Sequence, residues 1–158
     1  DVQSIKVGLW EFSVMHATTI KRPHDVISAQ ACLGYSIGLR LVKGGNDLDM
    51  YMDPDLWRNP EILAVADKLE AYVLNNPDHP QMSRVELKFK DGRVLQGEMP
   101  DARGTEDLPF SQEVIETKFR RLAGAMLPES QVTQILNGVN RLEELPSLST
   151  LVPMLRKQ

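Results

Sequence analysis

Val85-Glu86-Leu87-Lys88-Phe89-Lys90-Asp91-Gly92-Arg93, residues 85–93, alternates apolar and charged side chains up to an Asp-Gly pair, and the chain then runs on to Met99. A period of two puts Val85, Leu87 and Phe89 on one face of a strand and the charges on the other. Asp-Gly between two such runs is a strong short-range hairpin signal. It predicts a type I′ turn with positive φ at both Asp91 and Gly92.

Outward from this hairpin the periodicity changes. Downstream, Pro100 to Pro109 reads as a loop, and Ser111 as the N-cap of a helix with Ile115, Phe119, Leu122 and Met126 on one face. Pro128 opens a second helix carrying Val132, Ile135, Leu136, Val139 and Leu142, and Ser147 caps a short last one with Leu148, Leu151 and Leu155. Upstream, Leu69, Ala71 and Val73 alternate with Glu70, Tyr72 and Leu74, which leaves strand and helix continuation both open. Asn59-Pro60 supplies an N-cap and a proline at the first helical position, for a helix to about Asp67. The Asp-rich stretch 46–55 reads as a loop. Ser28 reads as the N-cap of a helix whose Leu33, Ile37 and Leu41 stack at helical spacing and which stops at Gly44-Gly45. From Ser4 to Val14 apolar residues alternate but change phase near Leu9 and Trp10, which predicts a long strand with a bulge. The resulting fold class is α+β: a small antiparallel sheet of about four strands covered by helices. The start at Asp1, inside an alternating stretch, carries the expectation that residues precede it.

Composition narrows the function classes. The chain has 158 residues with 18 basic and 22 acidic side chains, net −4, and no run of five like charges. Such a balance offers no footprint for nucleic acid or an anionic membrane. No apolar stretch approaches the ~18 residues of a membrane span, and a cytoplasmic location is expected. One cysteine, Cys32, excludes an internal disulfide and a multi-cysteine metal site.

Candidate chemistry is sparse. His16, His24 and His79 lack a second ligand at metal-binding spacing, and each reads as a surface or loop residue. Asp47, Asp49, Asp53 and Asp55 superficially resemble a cation loop but lack the glycine and glutamate of an EF-hand, so solvated loop charge is the stronger reading. No metal or cofactor is assigned, and no phosphate loop or nucleophile-elbow motif is present.

The run Ala29-Gln30-Ala31-Cys32-Leu33-Gly34-Tyr35-Ser36-Ile37-Gly38-Leu39, closed by Gly44, resembles the motif of the MmgE/PrpD family. Asn59-Pro60-Glu61-Ile62-Leu63, the hairpin at Lys88 to Leu95, Gly104 to Phe119 and Leu142-Glu143-Glu144-Leu145 resemble further pieces of it, in the same order. Departures are Ala31-Cys32 where the family has Phe-Ser, Gly34 for a proline, and Gly104-Thr105-Glu106 for Gly-Asp-Pro; they bear on substrate more than on fold. The resemblance implies the C-terminal region of a lyase, a dehydratase or decarboxylase acting on a small polycarboxylate without metal or organic cofactor. Residues 1–110 would be its α+β lid and 111–158 C-terminal helices that join a helical domain upstream. Most acid/base groups of the family lie in that upstream part, so the chain alone is expected to be inactive. Tyr35 matches a tyrosine of the family's active-site cleft, where a phenol, with an ordinary pKa near 10, suits donor and acid roles. Its bland reading is a helix tyrosine packed at a domain boundary. The expected partners are the polycarboxylate and either the helical domain or a second copy in a homodimer, meeting the small face of Gly34, Ser36 and Gly38. The competing function is a non-catalytic lid module that binds a protein partner or self-associates.

Overall fold

The computed structural model describes residues 1–156 and divides the chain into two compact units, Asp1–Ala102 and the segment from Arg103 onward. In the first unit the order is β1 (Val2–Leu9), α1 (Glu11–Thr19), α2 (Val26–Ala31), α3 (Leu33–Lys43), α4 (Leu48–Met52), α5 (Pro54–Trp57), α6 (Pro60–Ala66), β2 (Leu69–Val73), β3 (Ser83–Phe89) and β4 (Val94–Met99). The α+β class holds. The four strands form one open sheet in the order β2-β1-β3-β4.

The sheet is mixed rather than wholly antiparallel. β1 pairs antiparallel with β3 but parallel with β2, with Ile5 opposite Leu69 and Val7 opposite Ala71. A parallel pair needs a crossover of a dozen residues or more, and α1 through α6 supply it between β1 and β2. The ambiguous stretch after Asp67 is thus a strand, committed by its pairing to β1.

Three other local expectations change for identifiable reasons. β1 ends at Leu9, and Trp10 to Val14 enter α1: Val14 N–H donates to Trp10 O at 3.0 Å, and Phe12 stacks on His16 with ring centroids 4.0 Å apart. The phase slip read as a bulge is the junction between a period of two and a period of 3.6. Ser28 is not the N-cap; Asp25 is, its Oδ1 accepting from Ser28 N–H at 2.7 Å while Ser28 Oγ accepts from Asp25 N–H at 2.9 Å. That reciprocal box starts α2, and the extended ψ of 101° at Cys32 separates α2 from α3. The hairpin turn is not type I′. Gly92 alone has positive φ, 89°, with Gly92 N–H donating to Phe89 O (3.1 Å) and Phe89 N–H to Arg93 O (2.9 Å), the three-residue loop that ends in a left-handed glycine.

The Asp-rich stretch is also more ordered than a loop, since it contains α4 and α5. Asp53 Oδ1 caps α5 by accepting from Asp55 N–H at 2.9 Å. Gly44, at φ 75°, closes α3 through its N–H to Arg40 O at 3.0 Å.

α3 is the middle layer of this unit. Leu33 and Ile37 point to the sheet, packing with Val65 of α6 on Val2, Ile5 and Val7. Tyr35 and Leu39 point the other way, into a cluster with Ala29, Cys32 and Ile62. Backbones of α3 and α6 approach closely because Gly38 and Gly34 carry no side chain. A Cβ at Gly38 would lie 2.5 Å from Ile62 O, and one at Gly34 3.2 Å from Ala66 O. Gly34 and Gly38 of α3 therefore pack on α6 of the same unit, while Ser36 accepts from Tyr51 of α4.

In the second unit, α7 (Gln112–Gly124) is capped by Ser111, and α8 (Glu129–Asn140) follows Pro128. α7 buries no residue, whereas α8 buries Gln131, Val132, Ile135 and Leu136. Gln131 Nε2 donates to the carbonyls of Met154 (2.6 Å) and Arg156 (2.9 Å). The last apolar stretch forms 3-10 turns at Leu148–Thr150 and Val152–Leu155 instead of an α-helix, with Pro153 inside the second.

Candidate functional site

Tyr35 sits in the first full turn of α3, on the face turned away from the sheet, and its side chain is 0% exposed. Its hydroxyl has no hydrogen-bond partner, which makes it the one buried side-chain oxygen or nitrogen so placed among the described residues. A buried hydroxyl left unpaired forfeits its hydration without recompense, at a cost of about 1–3 kcal/mol. Burial pushes the phenol up to about 12, with Tyr51, Asp53 and Cys32 adding smaller contributions in the same direction. At neutral pH Tyr35 is therefore a protonated donor without an acceptor.

The wall over it comes from the segment following Gly45. Tyr51 of α4 meets Tyr35 edge-on, ring centroids 6.1 Å apart at 64°. Tyr51 Oη donates to Ser36 Oγ at 2.9 Å, and Trp57 Nε1 donates to Tyr51 O at 2.9 Å. Met50, Leu56 and Trp57 extend the apolar surround, to which Ile20 and Val42 also contribute. None of Ser36, Tyr51 and Trp57 stands out in the sequence as a site residue. Tyr51 lies fifteen positions from Ser36, and no motif links them.

A cavity of about 230 Å³ opens nearby, on the side of α3 reached by Lys21, Arg22, Cys32, Gly34 and Asp67. Arg22 is already paired there, Nη2 to Asp67 Oδ1 at 2.6 Å. The histidines stay apart from this region or on its surface. His16 is exposed on α1 with Nδ1 2.8 Å from Phe12 O, His24 is exposed beside Asp25, and His79 is exposed in a turn. No group of three or more His, Cys, Asp or Glu is placed to hold a metal among the described residues, the Asp-rich stretch included. No helix among those residues is long and apolar enough to cross a membrane.

An α+β unit with an open mixed sheet, a glycine-tight helix pair and a buried tyrosine on the inner helix is thus the class defined by fold and geometry. The sequence matches the MmgE/PrpD C-terminal domain over residues 1–144, and the chain belongs to that family. It is 26% identical to cis-aconitate decarboxylase of Aspergillus terreus, across 98% of this chain and 33% of that protein. It is 24% identical to cis-aconitate decarboxylase-like protein oryM of Aspergillus oryzae, across 85% of this chain and 28% of that protein. The chain spans about a third of the length of the curated relatives it matches.

Proposed function

We propose that this domain is the lid region of a cofactor-independent lyase, a dehydratase or decarboxylase, acting on a small polycarboxylate such as cis-aconitate or 2-methylcitrate, with Tyr35 as its catalytic contribution. The observation that carries the reading is the Tyr35 hydroxyl, a buried protonated donor given no protein acceptor. A substrate carboxylate is the acceptor such a donor suits, because a hydrogen bond to an ionised group is roughly twice as strong as a neutral one. In a decarboxylation the electron pair left by the departing carbon dioxide must be taken up by a proton, on that carbon or on the carbon allylic to it, and a phenol can hold or deliver one there. A dehydration needs a base for the carbon-bound proton and an acid for the departing hydroxyl. One phenol supplies only one of the two, so the remaining groups belong to another part of the enzyme and the 158-residue chain alone is inactive.

The competing reading, a non-catalytic module in which Tyr35 merely packs, is favoured by its complete burial. Kinetics separate the two. In the protein as expressed from its gene, Tyr35→Phe is expected to lower kcat on cis-aconitate or 2-methylcitrate by roughly 10²-fold or more, the scale of a positioned acid. Unchanged turnover by the variant would refute the catalytic reading.

A further inference from the structure

A hydroxyl that acts on a ligand has to touch it, yet Tyr35 is sealed on every side. Three of its walls are anchored. α3 lies between the sheet and the outer cluster, α6 is in backbone contact with it at Gly38, and α2 is held by the Asp25–Ser28 capping box. The fourth wall is not built that way. α4 and α5 have five and four residues, and neither contains a buried residue. A side-chain hydrogen bond from Tyr51 Oη to Ser36 Oγ ties α4 to α3, and Trp57 Nε1 in turn braces Tyr51 through its backbone oxygen. The segment leaves α3 through Gly44-Gly45, where Gly44 is left-handed and a Cβ on it would meet nothing within 4 Å.

We propose that residues 46–58 form a strap, held at one end by Gly44-Gly45 and at the other by the Asn59 cap of α6, that closes over Tyr35 through Tyr51 and lifts away when a ligand offers the Tyr35 hydroxyl an acceptor. The inference rests on the catalytic reading of Tyr35. A ligand shifts such an equilibrium only by its differential affinity for the two states, and the orphan hydroxyl supplies the difference: it is unpaired with the strap closed and paired with the ligand bound. Apolar contacts of Met50, Tyr51, Leu56 and Trp57 favour the closed state in the absence of ligand. Tyr51 is a positioning residue in this scheme. It meets the Tyr35 ring edge-on, beside Cys32 of the same buried cluster.

Hydrogen exchange tests this in the protein as expressed from its gene, with cis-aconitate or 2-methylcitrate as the ligand. The amides of Met50, Tyr51, Arg58 and Asn59 bond to carbonyls of the strap itself, in short helices that lean on the Tyr35 cluster, and they loosen when the strap lifts off that support. Saturating ligand is expected to speed their exchange by about tenfold or more while β1 and α6 keep their protection. Tyr51→Phe, which removes the bond to Ser36, is expected to speed exchange without ligand and to lower KM several-fold. That follows because apparent affinity rises with the fraction already open. Trp57→Phe removes the brace alone and should shift both readouts the same way, which keeps the test available if Tyr51→Phe folds poorly. Strap amides that stay protected or slow down under saturating ligand, in a protein that Tyr35→Phe inactivates, would overturn the strap and leave the catalytic reading standing. Full turnover by Tyr35→Phe, or no binding of either ligand, would overturn both.

Discussion

α3 and α7 are alike on paper and opposite in use. Each carries apolar residues at helical spacing, Leu33, Ile37 and Leu41 on one, Ile115, Phe119, Leu122 and Met126 on the other. α3 buries Gly34, Tyr35, Gly38 and Leu39, none of which belongs to its apolar stripe, and Leu41 is 41% exposed. α7 buries nothing. An apolar stripe thus marks a helix without saying which face is covered. On α3 the missing side chains decide that, because two glycines let α6 approach to backbone contact and Tyr35 and Leu39 follow into the same interface. A glycine in a helix costs about 1 kcal/mol against alanine and is returned only where another backbone fills the space.

The largest effect should come from testing that claim where it is strongest. Gly38→Ala places a Cβ 2.5 Å from the Ile62 carbonyl oxygen, which cannot rotate away as a side chain would. The helices must separate, and urea unfolding is expected to show a loss of about 2–3 kcal/mol despite alanine's better helix propensity. A neutral result would mean that α3 and α6 are not in backbone contact.

The next test concerns the buried tyrosine. Tyr35→Phe removes a hydroxyl that has no partner, so the variant should be more stable than the parent by about 1 kcal/mol even as it loses turnover. The pH dependence carries a definite sign. Folding raises the Tyr35 phenol from its ordinary value of 10.0 to about 12, so its contribution is intact below pH 10 and is lost as pH rises through 12. In that window the unfolded chain gives up the proton first, and stability falls with rising pH. Melting temperatures of parent and variant from pH 9 to 12 should therefore diverge, the parent falling faster. Parallel curves would place the phenol in water.

The smallest effect belongs to α7. A Cβ at Gly124 meets nothing within 4 Å, so Gly124→Ala should stabilise by up to about 0.5–1 kcal/mol through propensity and the unfolded chain alone. The opposite signs expected at Gly38 and Gly124 are the comparison in its sharpest form. Destabilisation by Gly124→Ala would mean that α7 is covered where its surroundings now look open.

Much of the fold was legible because its signals are local. The alternation at residues 85–89, the Asp-Gly turn, Asn59-Pro60, Ser111 and Gly44 each specify conformation within four or five residues, and each element they predict is present. The turn type at Asp91-Gly92 differs from the sequence expectation because sequence counts the glycine but not the loop length: one extra loop residue moves the turn's positive φ onto Gly92. The long first strand was misread for a related cause. Trp10, Phe12 and Val14 satisfy a period of two by chance, while the Trp10-to-Val14 bond of a helix leaves no trace in that pattern.

The site divides along the same line. Tyr35 is a candidate from sequence because the run from Ala29 to Leu39 around it resembles a family motif, and that run together with four further pieces in the same order points to the family. What surrounds the phenol was not visible: Met50 and Tyr51 come from a stretch that reads as solvated loop, Leu56 and Trp57 follow it, and they pack on the Tyr35 cluster only after the chain turns back at Gly44-Gly45. The sequence by itself determined the β3–β4 hairpin, the starts of α6 and α7 and the end of α3, since caps, turns and periodicity act through backbone geometry over a few residues. Only the tertiary structure decided that β2 joins β1 in parallel, that α6 fills the glycine face of α3, and that one hydroxyl is left buried without a partner. Those outcomes depend on which distant surfaces exclude water from one another, and no local pattern of residues carries that information.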